Sequence, residues 1–309
     1  MTTRFVFGDV HGHFDTLIAL LNKIGLDIDC IPEDVELIFL GDLIDRGPKS
    51  ADVVTLVKRL CEEGKARCLL ANHEFNFVNF NTEASLESGV FRRPRKDKNL
   101  SEIAETWSSY RINGKHDSAL MSEHVEWFKS LPVALELGDL NLVHACWHRP
   151  SLSQLSKVDD GYYLTEDLWN KAWIKGDPVF DAVEILCKGI EEELPNQMYF
   201  FDKGGVKRTK ARVCWWHINP QSWSDYALAP GVDLNTLDGT PPNNHQHAVN
   251  VPTLFGHYWR TGIPKIETKM ASCLDYSVAA FNPGYLCAYE FRAGDDCLRT
   301  SQLHYVKRS

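Results

Sequence analysis

The residues best suited to chemistry fall in three short runs near the start of the chain. Asp9 and His11 lie in Gly8-Asp9-Val10-His11-Gly12, and Asp42, Asp45 and Arg46 lie in Gly41-Asp42-Leu43-Ile44-Asp45-Arg46-Gly47. The third run is Ala71-Asn72-His73-Glu74. Asp9 and His11, two apart on one turn, offer one oxygen and one nitrogen to a single cation. Asp42 has two carboxylate oxygens and can bridge two cations, and Asn72 offers a neutral carbonyl oxygen to the second. Mixed oxygen and imidazole ligation suits manganese, iron or zinc rather than calcium, and the lack of thiolates speaks against a structural zinc site. Two such ions about 3.5–4 Å apart can hold a bridging hydroxide and clamp both ends of an in-line displacement at phosphorus.

Each run follows a stretch that reads as a strand. Arg4-Phe5-Val6-Phe7 is the first, and Leu17, Leu20, Leu21 and Ile24 then recur at helical spacing up to Gly25. Val35 to Leu40 is the second strand; Pro48 and Ser50 open a helix carrying Val53, Val57 and Leu60 that stops near Gly64. Ala66 to Leu70 is the third strand. Strand, acidic turn and helix in repetition predict a parallel α/β sheet with right-handed crossovers, its polar residues gathered at the carboxyl ends of the strands. A lone Gly-Asp turn is ordinary loop chemistry. Three in order, each directly after a strand, make a pattern that calls for a function.

With 44% hydrophobic and 24% charged residues, the chain reads as an ordinary globular protein long enough for a sizeable core. The nine cysteines show no Cys-x-x-Cys pair and read as reduced, mostly core thiols. No apolar run long enough to span a membrane occurs, and the first residues show no apolar signal region, so the expected address is cytoplasmic. The net charge of −9 speaks against nucleic acid as a bulk electrostatic partner.

The three runs resemble the signature of the calcineurin-like metallophosphoesterases, and within them the phosphoprotein phosphatase family: Gly-Asp-x-His-Gly, Gly-Asp-x-x-Asp-Arg-Gly, then Gly-Asn-His-Glu. The third departs by one residue, Ala71 standing for the leading glycine, which bears on the local turn geometry. The family's two later histidines resemble His144 in Leu142-Val143-His144-Ala145 and His257 in Leu254-Phe255-Gly256-His257, and its next acidic residue resembles Asp275.

By this resemblance the fold is an αββα sandwich of two mixed sheets flanked by helices. It forms a single domain over 1–309, with a core of 1–145 and 250–309 and an elaboration or cap over about 146–249. The resemblance implies two divalent ions, manganese first with iron or zinc as alternatives. Asp9, His11 and Asp42 would hold one, and Asp42, Asn72, His144 and His257 the other. His73 would be the general acid, with Asp45 hydrogen-bonding its ring and fixing the tautomer. Arg46, with Asn72 nearby, would bind the phosphate. A further arginine is expected in the elaboration; the chain has Trp169-Asn170-Lys171 at one comparable point, leaving Lys171 and Arg212 as the two candidates.

The implied activity is metal-dependent hydrolysis of phosphomonoesters, phosphoserine and phosphothreonine of proteins among them, by in-line attack of a dimetal-bound hydroxide. The enzyme alternatives are a dinucleoside tetraphosphatase, against which His11 is taken to weigh, and a polynucleotide-end phosphatase. The alternative outside enzymes is a phosphate-binding module on the same scaffold. The expected partner is a phosphorylated substrate, a phosphoprotein or a nucleotide, with no membrane involved. The basic run Arg92-Arg93-Pro94-Arg95-Lys96-Asp97-Lys98 reads as a solvated loop or an attracting rim for a polyanion. Seven tryptophans from Trp147 to Trp259 read as mostly core, with one or two free to stack near the site. Loose segments are expected at Pro195–Asn196, Lys203–Gly205 and Asp238–Gln246.

Overall fold

Apolar side chains run consecutively along the ends of the central strands and point alternately to opposite faces, so each strand has two faces to bury. In the computed structural model, Phe5 and Phe7 of β1 (Thr3–Phe7) pack in one cluster with Leu17 and Leu20 of the first helix, whereas Val6 faces the opposite side. The structure describes residues 2–308 apart from 86–88, 113, 196–197, 202–204, 230–231, 235–236, 238–240, 243, 246 and 281–283, with the backbone alone at 112. Of the segments expected to be loose, Asn196, Lys203, Gly204 and positions 238–240, 243 and 246 lie outside the described residues.

After β1, helix α1 (Phe14–Lys23) returns the chain to β2 (Val35–Phe39), and α2 (Ser50–Glu62) returns it to β3 (Ala66–Cys68). The three strands are parallel neighbours, as the repeated strand–turn–helix unit predicts. Helices α3 (Asn72–Asn81), α4 (Asp97–Ser109) and α5 (Ser118–Lys129) follow, with a small hairpin of β4 (Arg111–Ile112) and β5 (Lys115–His116) between the last two. β6 (Ala134–Glu136) and β7 (Asn141–Val143) begin the second sheet. Then come α6 (Arg149–Leu152), β8 (Ser156–Val158), β9 (Gly161–Tyr163), α7 (Glu166–Lys171) and α8 (Pro178–Lys188). β10 (Glu191–Glu193), β11 (Phe200–Phe201), β12 (Lys207–Arg208), β13 (Lys210–Val213), α9 (Trp223–Tyr226) and β14 (Ala227–Leu228) complete this stretch. The chain ends with β15 (Thr253–Phe255), β16 (Ala271–Cys273), β17 (Tyr285–Arg292) and β18 (Leu303–Lys307).

The strands that carry the sandwich form two mixed sheets, ordered β18-β17-β1-β2-β3 and β16-β15-β7-β6-β9-β8. Val6, Ile38, Leu40, Leu69, Tyr289 and Phe291 on the first sheet's side meet Leu135, Leu142, Leu254 and Leu274 on the second's in one hydrophobic cluster. Burying one such aliphatic side chain is worth roughly 1.5–3 kcal/mol. The outer face of the first sheet joins α1, α2 and their neighbours in a larger cluster. This is the αββα sandwich implied by the sequence.

Residues 146–249 divide among several places: Leu152 of α6, Trp169 of α7 and Leu186 of α8 join the larger cluster, and β11 pairs with β12 in a small hairpin. β9 pairs with β6, so β8 and β9 extend the second sheet. β10, β13 and β14 form a separate three-stranded sheet with its own small cluster, including Leu194, Val213 and Tyr226. The arginines of the basic run are tied into the fold. Arg92 donates to the Trp169 carbonyl (3.2 Å) and the Asn170 side chain (2.6 Å), Arg93 pairs with Glu102 (2.5 Å), and Arg95 lies 3.4 Å above the Phe91 ring. All nine cysteines are free. Among the described residues, no helix is long and apolar enough to cross a membrane.

Candidate active site

The three N-terminal runs converge because β1, β2 and β3 end side by side. Asp9 follows β1 by two residues, Asp42 follows β2 by three, and Asn72 starts α3 just beyond β3. His144 follows β7 directly and His257 follows β15 by two residues, so the second sheet brings its histidines to the same edge. All five side chains are buried, as is His11.

The backbone here is unusual. Nine described non-glycine residues have positive φ, and six of them are His11, Asp42, Asp45, Arg46, His257 and Trp259. Such conformations cost energy and collect where function requires a particular side-chain direction. Two glycines are needed for contact. A Cβ on Gly256 would lie 2.1 Å from Asp9 Oδ1, and one on Gly41 (φ +91°) would lie 2.4 Å from the Ala71 Cβ. Ala71 itself is extended (φ −106°, ψ 179°), a conformation open to any residue, so the departure from glycine leaves the turn intact.

Two clusters of potential ligand atoms share one carboxylate: His11, Asp42 and His73 on one side, and Asp42, His144 and His257 on the other. His11 Nδ1–H donates to the Ile44 carbonyl (2.9 Å), which turns Nε2 toward Asp42 Oδ2 (3.5 Å) and Asp9 Oδ2 (4.0 Å). His144 Nδ1–H donates to the Leu40 carbonyl (2.8 Å), which turns Nε2 toward Asp42 Oδ1 (3.4 Å) and the Asn72 amide (3.1 Å). The same amide lies 2.9 Å from His257 Nδ1. Asp9 also accepts from the His257 backbone N–H (3.2 Å).

Burial, with Arg46 adding to it, holds His11 well below the usual imidazole range. Burial and then Arg212 do the same to His257, so both rings are neutral and can offer a lone pair. Burial also pushes Asp9 up, with Asp275 adding to it. At Asp42 burial acts upward too, but His144 and His73 outweigh it and hold the carboxyl well below the usual range. Burial opposes charge on His144, yet Asp42 raises it to about 9. Carboxylate oxygens and ring lone pairs crowd together here and call for positive charge between them. A pair of divalent cations fits this donor set, one on each side of Asp42.

Next to this cluster, His73 Nδ1 donates to Asp45 Oδ2 (2.5 Å), and Thr106 Oγ1 donates to Asp45 Oδ1 (2.5 Å). His73 Nε2 then lies 3.9 Å from Asp42 Oδ2, with the side chain 12% exposed. The Arg46 guanidinium lies 2.7 Å from His11 Nε2 and stacks on Trp259 at 4.2 Å. Arg212, on β13, is close enough to His257, Asp275 and Arg46 to influence them. Lys171 is elsewhere: its ammonium is exposed and pairs with Asp167 one turn back on α7 (2.6 Å).

Sequence reasoning passed over two supporting residues. Glu74 is completely buried and accepts from the backbone N–H groups of Asp42 (3.0 Å) and Leu43 (2.8 Å), so it holds the turn that presents Asp42. Burial, reinforced by Asp42, pushes its carboxyl up to about 7. Its signal was its place in Asn72-His73-Glu74. Thr106 had none, since only the packing of α4 on α2 brings it to Asp45. Asp275, the residue that resembles the family's next acidic position, accepts from the backbone N–H groups of Trp259 and Ser277, both at 2.8 Å.

The sequence profile of the calcineurin-like phosphoesterases matches residues 3–249. The chain belongs to that family. This phosphoesterase, a hydrolase from a family that binds divalent metals, is 28% identical over 180 residues to the bis(5'-nucleosyl)-tetraphosphatase PrpE (asymmetrical) of Bacillus velezensis. That match covers 56% of this chain and 68% of the relative. It is 36% identical over 131 residues to the symmetrical bis(5'-nucleosyl)-tetraphosphatase of Enterobacter sp. (strain 638), covering 42% of this chain and 38% of that one. The matched segment is thus well under half of the second relative. Among solved structures, a protein serine/threonine phosphatase from Saccharomyces cerevisiae with similarity to human phosphatase PP5 aligns with a TM-score of 0.47 and 15% identity, covering all of this chain and 80% of that one.

Proposed function

We propose that the phosphoesterase hydrolyses phosphomonoesters by in-line displacement, with His73 as the general acid for the leaving oxygen. Asp9, His11 and Asp42 would hold one divalent cation, manganese first, and Asp42, Asn72, His144 and His257 the second. When bound, the cations supply the activated water and most of the stabilisation of charge at phosphorus. The observation that carries the reading is the Asp45–His73 contact at 2.5 Å beside Asp42. Asp45 accepts the hydrogen bond from Nδ1–H, so in the doubly protonated ring the Nε2–H is the proton available on the shared carboxylate's side of the site. Thr106 holds the other Asp45 oxygen and keeps the carboxylate from turning. Arg46 and Arg212 grip the phosphate oxygens, the latter supplied by the 146–249 elaboration to a site otherwise built by the core. Arg212 has the better claim than Lys171, whose charge is engaged with Asp167.

For the substrate, a phosphoserine- or phosphothreonine-bearing protein is one reading. A dinucleoside tetraphosphate is the second, favoured by two relatives that carry that activity in their names. The basic run that suggested a polynucleotide end has its arginines bound internally.

Two measurements test this. His73→Asn should lower kcat about 10²–10⁴-fold on a phosphothreonine peptide and much less on an aryl phosphate with a good leaving group. Equal losses on both would remove the general-acid role. Initial rates of the manganese-loaded protein on the peptide and on diadenosine tetraphosphate, with metal-stripped protein as control, decide the substrate class.

A further inference from the structure

We propose that Trp259 is a positioning residue whose ring serves as a shelf for the Arg46 guanidinium, and that Asp275 clamps Trp259 into that position. The inference rests on the reading of Arg46 as a phosphate ligand. Trp259 has φ +49°, a conformation that a bulky residue adopts only when its surroundings impose it. What imposes it is Asp275, a buried carboxylate. Its Oδ2 accepts from the Trp259 backbone N–H, its backbone carbonyl accepts from the Arg260 N–H, and its Oδ1 accepts from the Ser277 N–H, all at 2.8 Å.

Core packing does not account for the strain. Trp147, Trp169, Trp215 and Trp216 are buried in the main hydrophobic cluster, whereas Trp259 is half-buried and joins none of the three clusters. Its ring lies 4.2 Å from the Arg46 guanidinium carbon and 6.5 Å from the His11 ring. Arg46 is also in the left-handed region (φ +67°), so strained backbone on both sides aims the two side chains at each other. A guanidinium on a flexible stem loses much rotational freedom when one face is fixed on an aromatic ring. The remaining N–H edge is then preset for planar, two-point contact with a phosphate.

The test is a double-mutant cycle read by phosphate binding. The metal-loaded protein is titrated with inorganic phosphate by calorimetry, and kcat and KM are measured with p-nitrophenyl phosphate. The proteins are wild type, Trp259→Leu, Trp259→Phe, Arg46→Ala and the Trp259→Leu/Arg46→Ala pair. Trp259→Leu should weaken phosphate binding and raise KM by about 3- to 30-fold, the range of a cation–π contact, with kcat changed less. Trp259→Phe should restore most of the loss. In the Arg46→Ala background, Trp259→Leu should matter by less than about 2-fold, because the partner it positions is gone. An equal loss in both backgrounds would show that Trp259 acts independently of Arg46 and overturn the inference, as would unchanged phosphate affinity in Trp259→Leu. If Arg46→Ala alone leaves phosphate affinity unchanged, the phosphate role of Arg46 fails and the shelf falls with it. Should Trp259→Leu not fold, Trp259→Phe compared in the wild-type and Arg46→Ala backgrounds separates the same outcomes at smaller amplitude.

Discussion

Ile38 and Asp42 are four residues apart on one strand and its turn, and both are almost completely buried. Ile38 is sealed between two sheets among leucines and aromatic rings, where leaving water is favourable. Asp42 is sealed among His11, His73 and His144, on a backbone with φ +49°, where leaving water is costly and only opposite charge compensates. The sandwich interior and the strand-end rim thus have equal burial and opposite energetics. Burial alone does not distinguish a core from a site; the distinction is whether the buried atoms are satisfied by their neighbours or still call for a ligand. The apolar interior holds both sheets rigid enough to carry a rim that would not assemble by itself.

The largest effect expected from this contrast is at Asp42. Asp42→Asn should lower kcat/KM by about 10³-fold or more, while the melting temperature of metal-free protein falls only modestly, because His144 and His73 stabilise the carboxylate that is removed. A large fall in melting temperature would make the rim as structural as the interior. Leu254→Ala should do the reverse. It should cost about 2–5 kcal/mol in urea unfolding, with kcat near wild type wherever the protein is folded. Smaller again is the phosphate clamp: Arg212→Ala should raise KM about 10-fold, and Lys171→Ala should leave it within about 2-fold.

The smallest effect is at the sheet edge built by residues after 146. Burial acts upward on Glu136, but Lys157, Tyr162 and Arg149 outweigh it and hold the carboxyl down to about 2. Its contribution is therefore present above an ordinary value near 4.5 and lost as pH falls from there through about 2. Urea midpoints at pH 5 and pH 3 should fall further for wild type than for Glu136→Gln. Equal falls would show that this network does not tie β8 and β9 to β6.

Much of the candidate site was legible because its ligands are attached to local patterns. Asp9, Asp42 and Asn72 each follow a short apolar strand, and parallel β–α–β connection leaves few other places for such residues to gather than one sheet edge. His144 and His257 were legible through the resemblance to the family's two later histidines, with which their strand-end positions agree, although over a hundred residues separate them. Thr106 and Trp259 were not legible. Thr106 reaches Asp45 across 61 residues through helix packing, and nothing in its neighbourhood of the sequence marks it. Trp259 was one of seven tryptophans with the same composition signal, and only the clamp by Asp275 sets it apart.

By itself, then, the sequence determined the strand–turn–helix periodicity, the candidate ligand types and the edge where they collect, because strand patterning and turn chemistry act over a few residues. Only the tertiary structure separates the two candidate positive charges. Arg212 lies on a strand of the small separate sheet, while Lys171 is tied to Asp167 on an exposed helix face. Their sequence contexts looked equally suitable. Which one reaches the rim depends on how a hundred-residue excursion packs back onto the core, and that packing is set by long-range contacts among side chains distant in the chain.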